Sequence, residues 1–414
     1  MNTKFNQTEI VEIPEDWSID KLSEFVEVNP FRKLEKGKDS KSVPMEFLSP
    51  FTRQVKAFIA KKYNGGTKFK NGDTLLARIT PCLENGKTAY VDFLEENEIA
   101  FGSTEYIVLS EKENVSDSKY IYYLAISPEF RKIAIKSMSG SSGRQRVQTD
   151  VLSSTLIAHP NIKEQKQIAS ILSSLDDKIE LNQKTIKTLE DTGQALFKRW
   201  FVDFEFPNEK GEPYKSNGGE MVDSEIGKIP KGWSAGQLSD EFEVLMGQSP
   251  PGDTYNDFGE GLPFYQGRVD FGFRFPSKRI FCSEPSRVAK QSSTLISVRA
   301  PVGDINQAID DCCIGRGVAS IIKKDYPSYT YHKIKYLQPK FKVFDNEGTV
   351  FGSINKDSLS KIEIYLPTKE VLDLFEKIAY SLDQQILNLS KEIESVENTK
   401  TILLPKLLSG KIRV

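Results

Sequence analysis

Residues 168–196 read IASILSSLDDKIELNQKTIKTLEDTGQAL, and residues 375–403 read FEKIAYSLDQQILNLSKEIESVENTKTIL. In the first stretch Ile168, Ile171, Leu175, Ile179, Asn182, Ile186, Leu189, Gly193 and Leu196 fall on one helical stripe. In the second, Phe375, Ile378, Leu382, Ile386, Leu389, Ile393, Val396, Lys400 and Leu403 repeat it 207 positions later (375 − 168). Steps of three and four are those of a coiled-coil seam, and an added step of four near the start shifts the phase alike in both copies. One apolar stripe at helical spacing would be ordinary core. Two stripes with the same irregularity predict two helices that pack on each other through the apolar members of both lists. Extended to its caps, each covers about forty residues, roughly 60 Å at 1.5 Å per residue, too long for the interior of one compact domain.

The flanks are duplicated as well. Asn161 follows Pro160 and precedes Glu164 by three, a capping-box arrangement that would satisfy otherwise orphaned amides, while Thr368 follows Pro367 at the same offset. Ile13-Pro14-Glu15-Asp16-Trp17-Ser18 with Leu22 recurs as Ile229-Pro230-Lys231-Gly232-Trp233-Ser234 with Leu238, 216 positions on (229 − 13). Between these borders Thr74-Leu75-Leu76-Ala77-Arg78-Ile79 is set against Thr294-Leu295-Ile296-Ser297-Val298-Arg299, and little else aligns. A period above 200 residues is a domain duplication, not a solenoid. The layout is a variable domain over 1–160, a helix over 161–206, a connector with a second variable domain over 207–367, and a second helix over 368–414. Short β-branched runs bounded by Gly, Pro and Asp (Thr74–Ile79, Glu105–Leu109, Leu295–Arg299, Val318–Ile322) predict sheet with long loops. Tyr120–Lys136 predicts helix around a break at Pro128. The class is α+β, and Pro207–Gly219 is an exposed connector.

Composition narrows the chemistry. With 56 Lys and Arg against 58 Asp and Glu, the net charge of −2 excludes a uniformly basic protein, so any nucleic-acid surface is local. Four scattered cysteines give no disulfide framework, and with two distant histidines they make a zinc site improbable. A polar N-terminus and no run near 18 apolar residues point to a cytoplasmic, reducing setting without membrane contact. Asn85-Gly86-Lys87-Thr88 imitates the end of a phosphate-binding loop, but Pro81 and the strand-like Ala89–Phe93 run make it a hairpin turn. Ser249-Pro250-Pro251-Gly252 imitates a base-stacking loop of amino-methyltransferases, yet Gly252 cannot stack, and no glycine-rich cofactor loop follows a strand. No Ser-His-Asp set is credible, so the chain reads as having no active site of its own. A self-contained DNA methyltransferase and a coiled-coil scaffold remain the alternative readings.

Basic residues are clustered with amides. Arg53, Lys56, Lys61, Lys62, Lys68 and Lys70 surround Gly65-Gly66. Arg144, Gln145, Arg146 and Gln148 follow the Gly/Ser run of Ser141, Ser142 and Gly143. In the second half Arg268, Arg274, Lys278, Arg279, Arg287 and Lys290 surround Tyr265, Gln266, Phe271 and Phe273. Cations position a protein on phosphates, whereas Arg on guanine and Gln on adenine read base edges. The DNA-contact candidates are Lys61, Lys62, Lys68, Arg78, Ser141, Ser142, Arg144, Gln145, Arg146 and Gln148 in the first half. In the second they are Tyr265, Gln266, Arg268, Arg274, Lys278, Arg299 and Arg316.

These features together resemble the DNA-specificity subunit of type I restriction-modification systems. The residues that carry the resemblance are the duplicated Ile-Pro-x-x-Trp opening, the run from Gly143 through Val147 to Leu152, and the helix start Pro160, Glu164, Gln165, Ile168. The helix end Leu196-Phe197-Lys198-Arg199-Trp200-Phe201 and the terminal Leu403–Ile412 segment add to it. The likeness spans the whole chain and departs at Lys369-Glu370-Val371, where the family has a Glu-Gln pair. It implies two globular α/β target recognition domains, each reading one half of a split site in the major groove of double-stranded DNA. It also implies two long antiparallel conserved helices between them, two methyltransferase subunits docked on the chain and two restriction subunits beyond. S-adenosylmethionine, ATP and magnesium would then belong to those partners, with no cofactor or metal in this chain.

Overall fold

The computed structural model describes residues 5–7, 12–141, 143–345 and 352–414. The chain divides into two units: one runs to Gln183 and takes up Lys391–Val414, the other is Lys184–Ser390. Each contains one variable domain and a stretch of both long helices, Ile162–Phe201 and Lys369–Leu408. Among the described residues no helix is long and apolar enough to cross a membrane.

The two units repeat one frame. In the first, strand Thr74–Ala77 lies between Thr88–Tyr90 and Tyr106–Ser110, with Glu27–Val28 at the far edge. In the second, Thr294–Ser297 lies between Ile305–Gln307 and Val318–Ile322, with Glu243–Met246 at the edge. The match inferred between residues 74–79 and 294–299 is therefore a match of central strands. A second sheet follows the same rule: Asp39–Val43 runs parallel to Ala100–Gly102 as Leu262–Tyr265 runs parallel to Cys312–Ile314. Arg53 lies in the loop from Asp39–Val43 to its antiparallel neighbour Ile59–Lys62, and Arg274 in the loop from Leu262–Tyr265 to Phe281–Cys282.

The repeated opening motif closes each frame. Trp17 N donates to Pro14 O at 3.1 Å and Trp233 N to Pro230 O at 3.0 Å. This one-turn link buries both indoles and launches the strands Ser18–Lys21 and Ser234–Gln237. These pair with Leu156–His159 and Glu363–Leu366, the strands that enter the long helices, so a strand near the start of each domain is hydrogen-bonded to its last. The break at Pro128 is as expected: Ser127 ends helix Ser118–Ile126 and caps Pro128–Lys136, its hydroxyl accepting from Phe130 N. Asn85–Lys87 lies in the connection between paired strands Thr74–Ala77 and Thr88–Tyr90, as a turn should.

Within each unit the long helices run antiparallel. In the first, Asp176 meets Lys400 (2.5 Å) while Lys178 and Asn182 meet Glu392 (3.0 and 2.8 Å), so rising numbers on one helix face falling numbers on the other. In the second, Phe375 packs on Phe197, Trp200 and Phe201, with ring centroids 5.0 to 6.0 Å apart. Asn161 caps the first helix through Lys163 N and Glu164 N (3.0 and 3.1 Å). Glu164, expected to complete the capping box, gives its carboxylate to Arg413 instead, since two charge-assisted bonds (2.7 and 2.9 Å) outweigh one to an amide.

The covered face includes the apolar stripe and reaches beyond it. Ile168, Ile179, Ile186, Phe375 and Ile386 are buried, and Ile171, Leu175, Leu189, Leu196, Leu382, Leu389, Ile393, Val396 and Leu403 are half-buried. Ile378 is 45% exposed and is not a seam residue. The buried face also takes in the next position, at Leu172, Asp176, Glu190 and Phe197 on one helix and at Ala379 and Asp383 on the other. Each helix packs against its own domain as well as its partner, so the covered face is wider than a two-stranded seam and admits acids that hydrophobic periodicity does not register.

Candidate nucleic-acid interface

In the first unit the Gly/Ser loop is strapped to the central strand. Met138–Ser139 pairs with Arg146–Val147, Thr80 N donates to Gln145 O (3.0 Å) and Val147 N to Arg78 O (2.8 Å). Gly140 and Gly143 take positive φ of 128° and 77°, conformations that let the loop turn over within a few residues. Arg146 is bonded to Glu105 (2.7 Å), and Arg78 lies 3.7 Å from the same carboxylate. The Arg146 hydrogen bond, helped by the charge of both arginines, outweighs desolvation and holds the Glu105 carboxyl below its ordinary range. Arg78 and Arg146 therefore support the loop through Glu105. Ser141, Arg144, Gln145 and Gln148 are exposed at its tip and base, and Ser142 lies outside the described residues.

Lys61 and Lys62 belong to the other sheet of this domain, on the exposed strand paired with Asp39–Val43. Lys68 is more constrained: its ammonium donates to Arg32 O (2.7 Å) and lies 5.7 Å from the Phe31 ring centroid and 5.3 Å from that of Tyr63. Phe31 is 93% exposed, a feature that single-sequence patterning cannot separate from a core phenylalanine.

In the second unit the strand ends gather three of the inferred residues. Gly315 N donates to Tyr265 O and Val298 N to Gly317 O, both at 2.9 Å, which brings the exposed Gln266, Arg299 and Arg316 to one end of the domain. Arg268 pairs with Asp304 at 2.8 Å and Lys278 with Asp310 at 2.6 Å, all on the surface. Such pairs are worth about 0–1 kcal/mol and exchange readily for a phosphate.

Two inferred DNA-facing residues are corrected. Tyr265 is 2% exposed, its ring packed in a core with Leu295 and Ile314, because its strand position points inward. Arg274 is 1% exposed. Its guanidinium meets Glu190 at 2.6 Å and Asp383 at 2.7 Å, donates to Gln307 Oε1 at 3.1 Å, and stacks on Tyr331 with 3.2 Å from the guanidinium carbon to the ring centroid. Burial opposes its charge, yet Tyr331, Asp383 and Glu190 more than offset this and raise its pKa. A loop rich in arginine looks solvated in sequence; here one member is turned into the core by acids 84 positions before it and on the second helix.

A family model described as the type I restriction modification DNA specificity domain matches residues 14–191 and again 230–399. A putative type I restriction enzyme MjaX specificity subunit of Methanocaldococcus jannaschii is 32% identical over 435 residues, covering 99% of this chain and 97% of the relative. The type I restriction enzyme HindI specificity subunit of Haemophilus influenzae is 26% identical over 414 residues, covering 83% of this chain and 87% of that one. Among solved structures, the type I restriction-modification system S subunit from M. genitalium has the same fold, with a TM-score of 0.58 at 16% identity over 98% of this chain and 99% of that chain.

Proposed function

The chain belongs to the type I restriction-modification DNA specificity family, and on that premise we propose that it reads an asymmetric, two-part target on double-stranded DNA, one half-site per domain. It is a non-catalytic subunit in this reading. Two methyltransferase subunits, and two restriction subunits with them, are directed to the site it selects; they supply S-adenosylmethionine, ATP and magnesium chemistry in the cytoplasm. The observation that carries the proposal is one frame bearing two different tips. Beside the end of the central strand, where Thr80 N is tied to Gln145 O and Ala300 N to Gly352 O, the first domain presents Arg144, Gln145 and Gln148. The second presents Arg299 there, with Gln266 and Arg316 on neighbouring strand ends. Equal frames place the tips alike, and unequal side chains accept unequal bases.

The two long helices act as the spacer between the half-sites. Half-sites one DNA turn apart are roughly 34 Å from each other, and helix length sets which turns are reached. The domain boundaries proposed with this reading are 1–160 and 207–367 for the recognition domains, and 161–206 and 368–414 for the spacer helices. The test is methylation mapping in cells that carry the subunit with its partners. Arg144→Ala with Gln145→Ala is expected to relax base preference in the half-site of the first domain alone, by roughly tenfold or more for each base edge no longer read. Equal relaxation in both halves, or in neither, overturns independent reading.

A further inference from the structure

Arg274 and Arg53 occupy the same loop of the repeated frame, and both turn away from solvent onto the long helices. Arg274 reaches Glu190 on the first helix and Asp383 on the second. Arg53 reaches Glu180 (3.0 Å from Nε, 2.8 Å from Nη2) and Asp177 (2.6 Å), both on the first helix. The loops they anchor carry exposed groups on either side: Arg268, Phe273 and Lys278 flank Arg274 within six positions. The backbone is held in the same place, since Gln307 N donates to Arg274 O at 2.9 Å and the Asn306 amide clamps Gly272 at 3.1 and 2.9 Å.

Burying a guanidinium among carboxylates is weak as a source of stability, because desolvation cancels much of the attraction; what it fixes is geometry. The planar fork accepts two carboxylates only in set directions, which a lysine or a hydrophobic residue cannot reproduce. We propose that Arg274 and Arg53 are positioning residues that register their loops on the long helices, Arg274 on both and Arg53 on the first, so that the bases a domain accepts depend on an anchor behind the loop as well as on the side chains facing DNA. This rests on the proposed reading that Gln266, on the loop of Arg274, faces DNA, and extends that reading to the exposed residues of both loops.

The experiment uses the complex of the full chain with its methyltransferase partners and maps methylated positions for four variants. Arg274→Lys keeps the charge and removes the fork; Glu190→Gln keeps the fork and weakens its partner. Both are expected to lower base discrimination roughly tenfold in the second domain's half-site and leave the first unchanged. Arg53→Lys is expected to do the reverse, and because its partner Asp177 is 61% exposed it carries the test if the buried variants fail to assemble. Arg268→Ala is the surface control. A purely structural role would lower total methylation in proportion at both halves, so unchanged discrimination ratios in the lysine variants overturn the proposal. If Arg268→Ala also leaves both ratios untouched, it is the DNA-facing reading of the loop that fails.

Discussion

Asp176 and Asp383 hold the same position in the two copies of the helix (383 − 176 = 207), and both are buried, 5% and 7% exposed. Asp176 is neutralised by Lys400 of the other helix, at 2.5 Å, and accepts from the Tyr123 hydroxyl at 2.7 Å. Asp383 is neutralised by Arg274, supplied by the recognition loop, which shares Glu190 with Lys335. The repeated helix thus keeps a buried acid, and each half draws the matching cation from a different element. The consequence is unequal tethering: the second domain is tied to its helices by an enclosed charge cluster, the first by Arg53 on the better solvated Glu180 and Asp177.

The largest break in this comparison is Arg274→Ala set against Arg53→Ala. Removing Arg274 strands Asp383 in the interior and leaves Glu190 with Lys335 alone, at a cost of about 3–5 kcal/mol. Removing Arg53 leaves Glu180 bonded to Gln54 and Asp177 in water, at a cost of about 1 kcal/mol. Hydrogen exchange along 184–201 and 369–390 for the first variant, and along 162–183 and 391–408 for the second, measures the difference. Equal loss of protection would show that the two tethers do not differ.

Acid should separate the two units further. His332 lies in the second cluster, its Nδ1 3.2 Å from Gln194 Oε1, its ring close enough to Gly193 that a Cβ there would fall 2.6 Å from Cε1. Burial first, then the Arg274 and Lys335 charges, hold its pKa well below the ordinary 6.5; Glu190 pairs with both cations in the same cluster. The folded imidazole therefore stays neutral while the unfolded one takes a proton. This contribution to stability is complete above pH 6.5 and is lost as pH falls below it. Exchange protection over 184–201 is expected to drop between about pH 6.5 and 5 relative to 162–183, and His332→Asn to flatten that drop. Parallel loss in the variant would place the titration elsewhere.

Much of this frame is legible in the chain and some of it is not. Strands at 74–77 and 294–297 announce themselves because they are β-branched and apolar, and the Gly140–Gly143 loop because only such residues turn so tightly. Periodicity identifies the right helices and, Ile378 apart, residues on their covered face, but it misses the rest of that face, since a stripe counts apolar residues whereas Asp176, Glu190 and Asp383 are buried by partners distant in sequence. Arg274 and Tyr265 read as DNA-facing groups for the same reason: loop composition signals exposure, and neither the inward turn of one nor the strand facing of the other leaves a local trace. Arg53, one cation among several in its loop, gains its role only from Glu180 across the fold.

The smallest predicted effect tests the one stripe position that is exposed. Ile171 and Ile378 are counterparts (378 − 171 = 207), as are Leu172 and Ala379. In the first unit Ile171 packs at the margin of a core that includes fully buried Leu172. In the second the buried position is the small Ala379, in a core that Phe375, Phe197 and Trp200 fill with rings, and Ile378 is left 45% exposed. Aromatic bulk has taken the volume that a leucine supplies in the other copy. Ile171→Ala is then expected to cost about 2 kcal/mol and Ile378→Ala within about 0.5 kcal/mol, each read as a shift in denaturant midpoint at unchanged slope. If Ile378→Ala costs as much as Ile171→Ala, the second helix buries its stripe in the register that periodicity alone implies, and the aromatic substitution at this junction does not account for the difference between the copies.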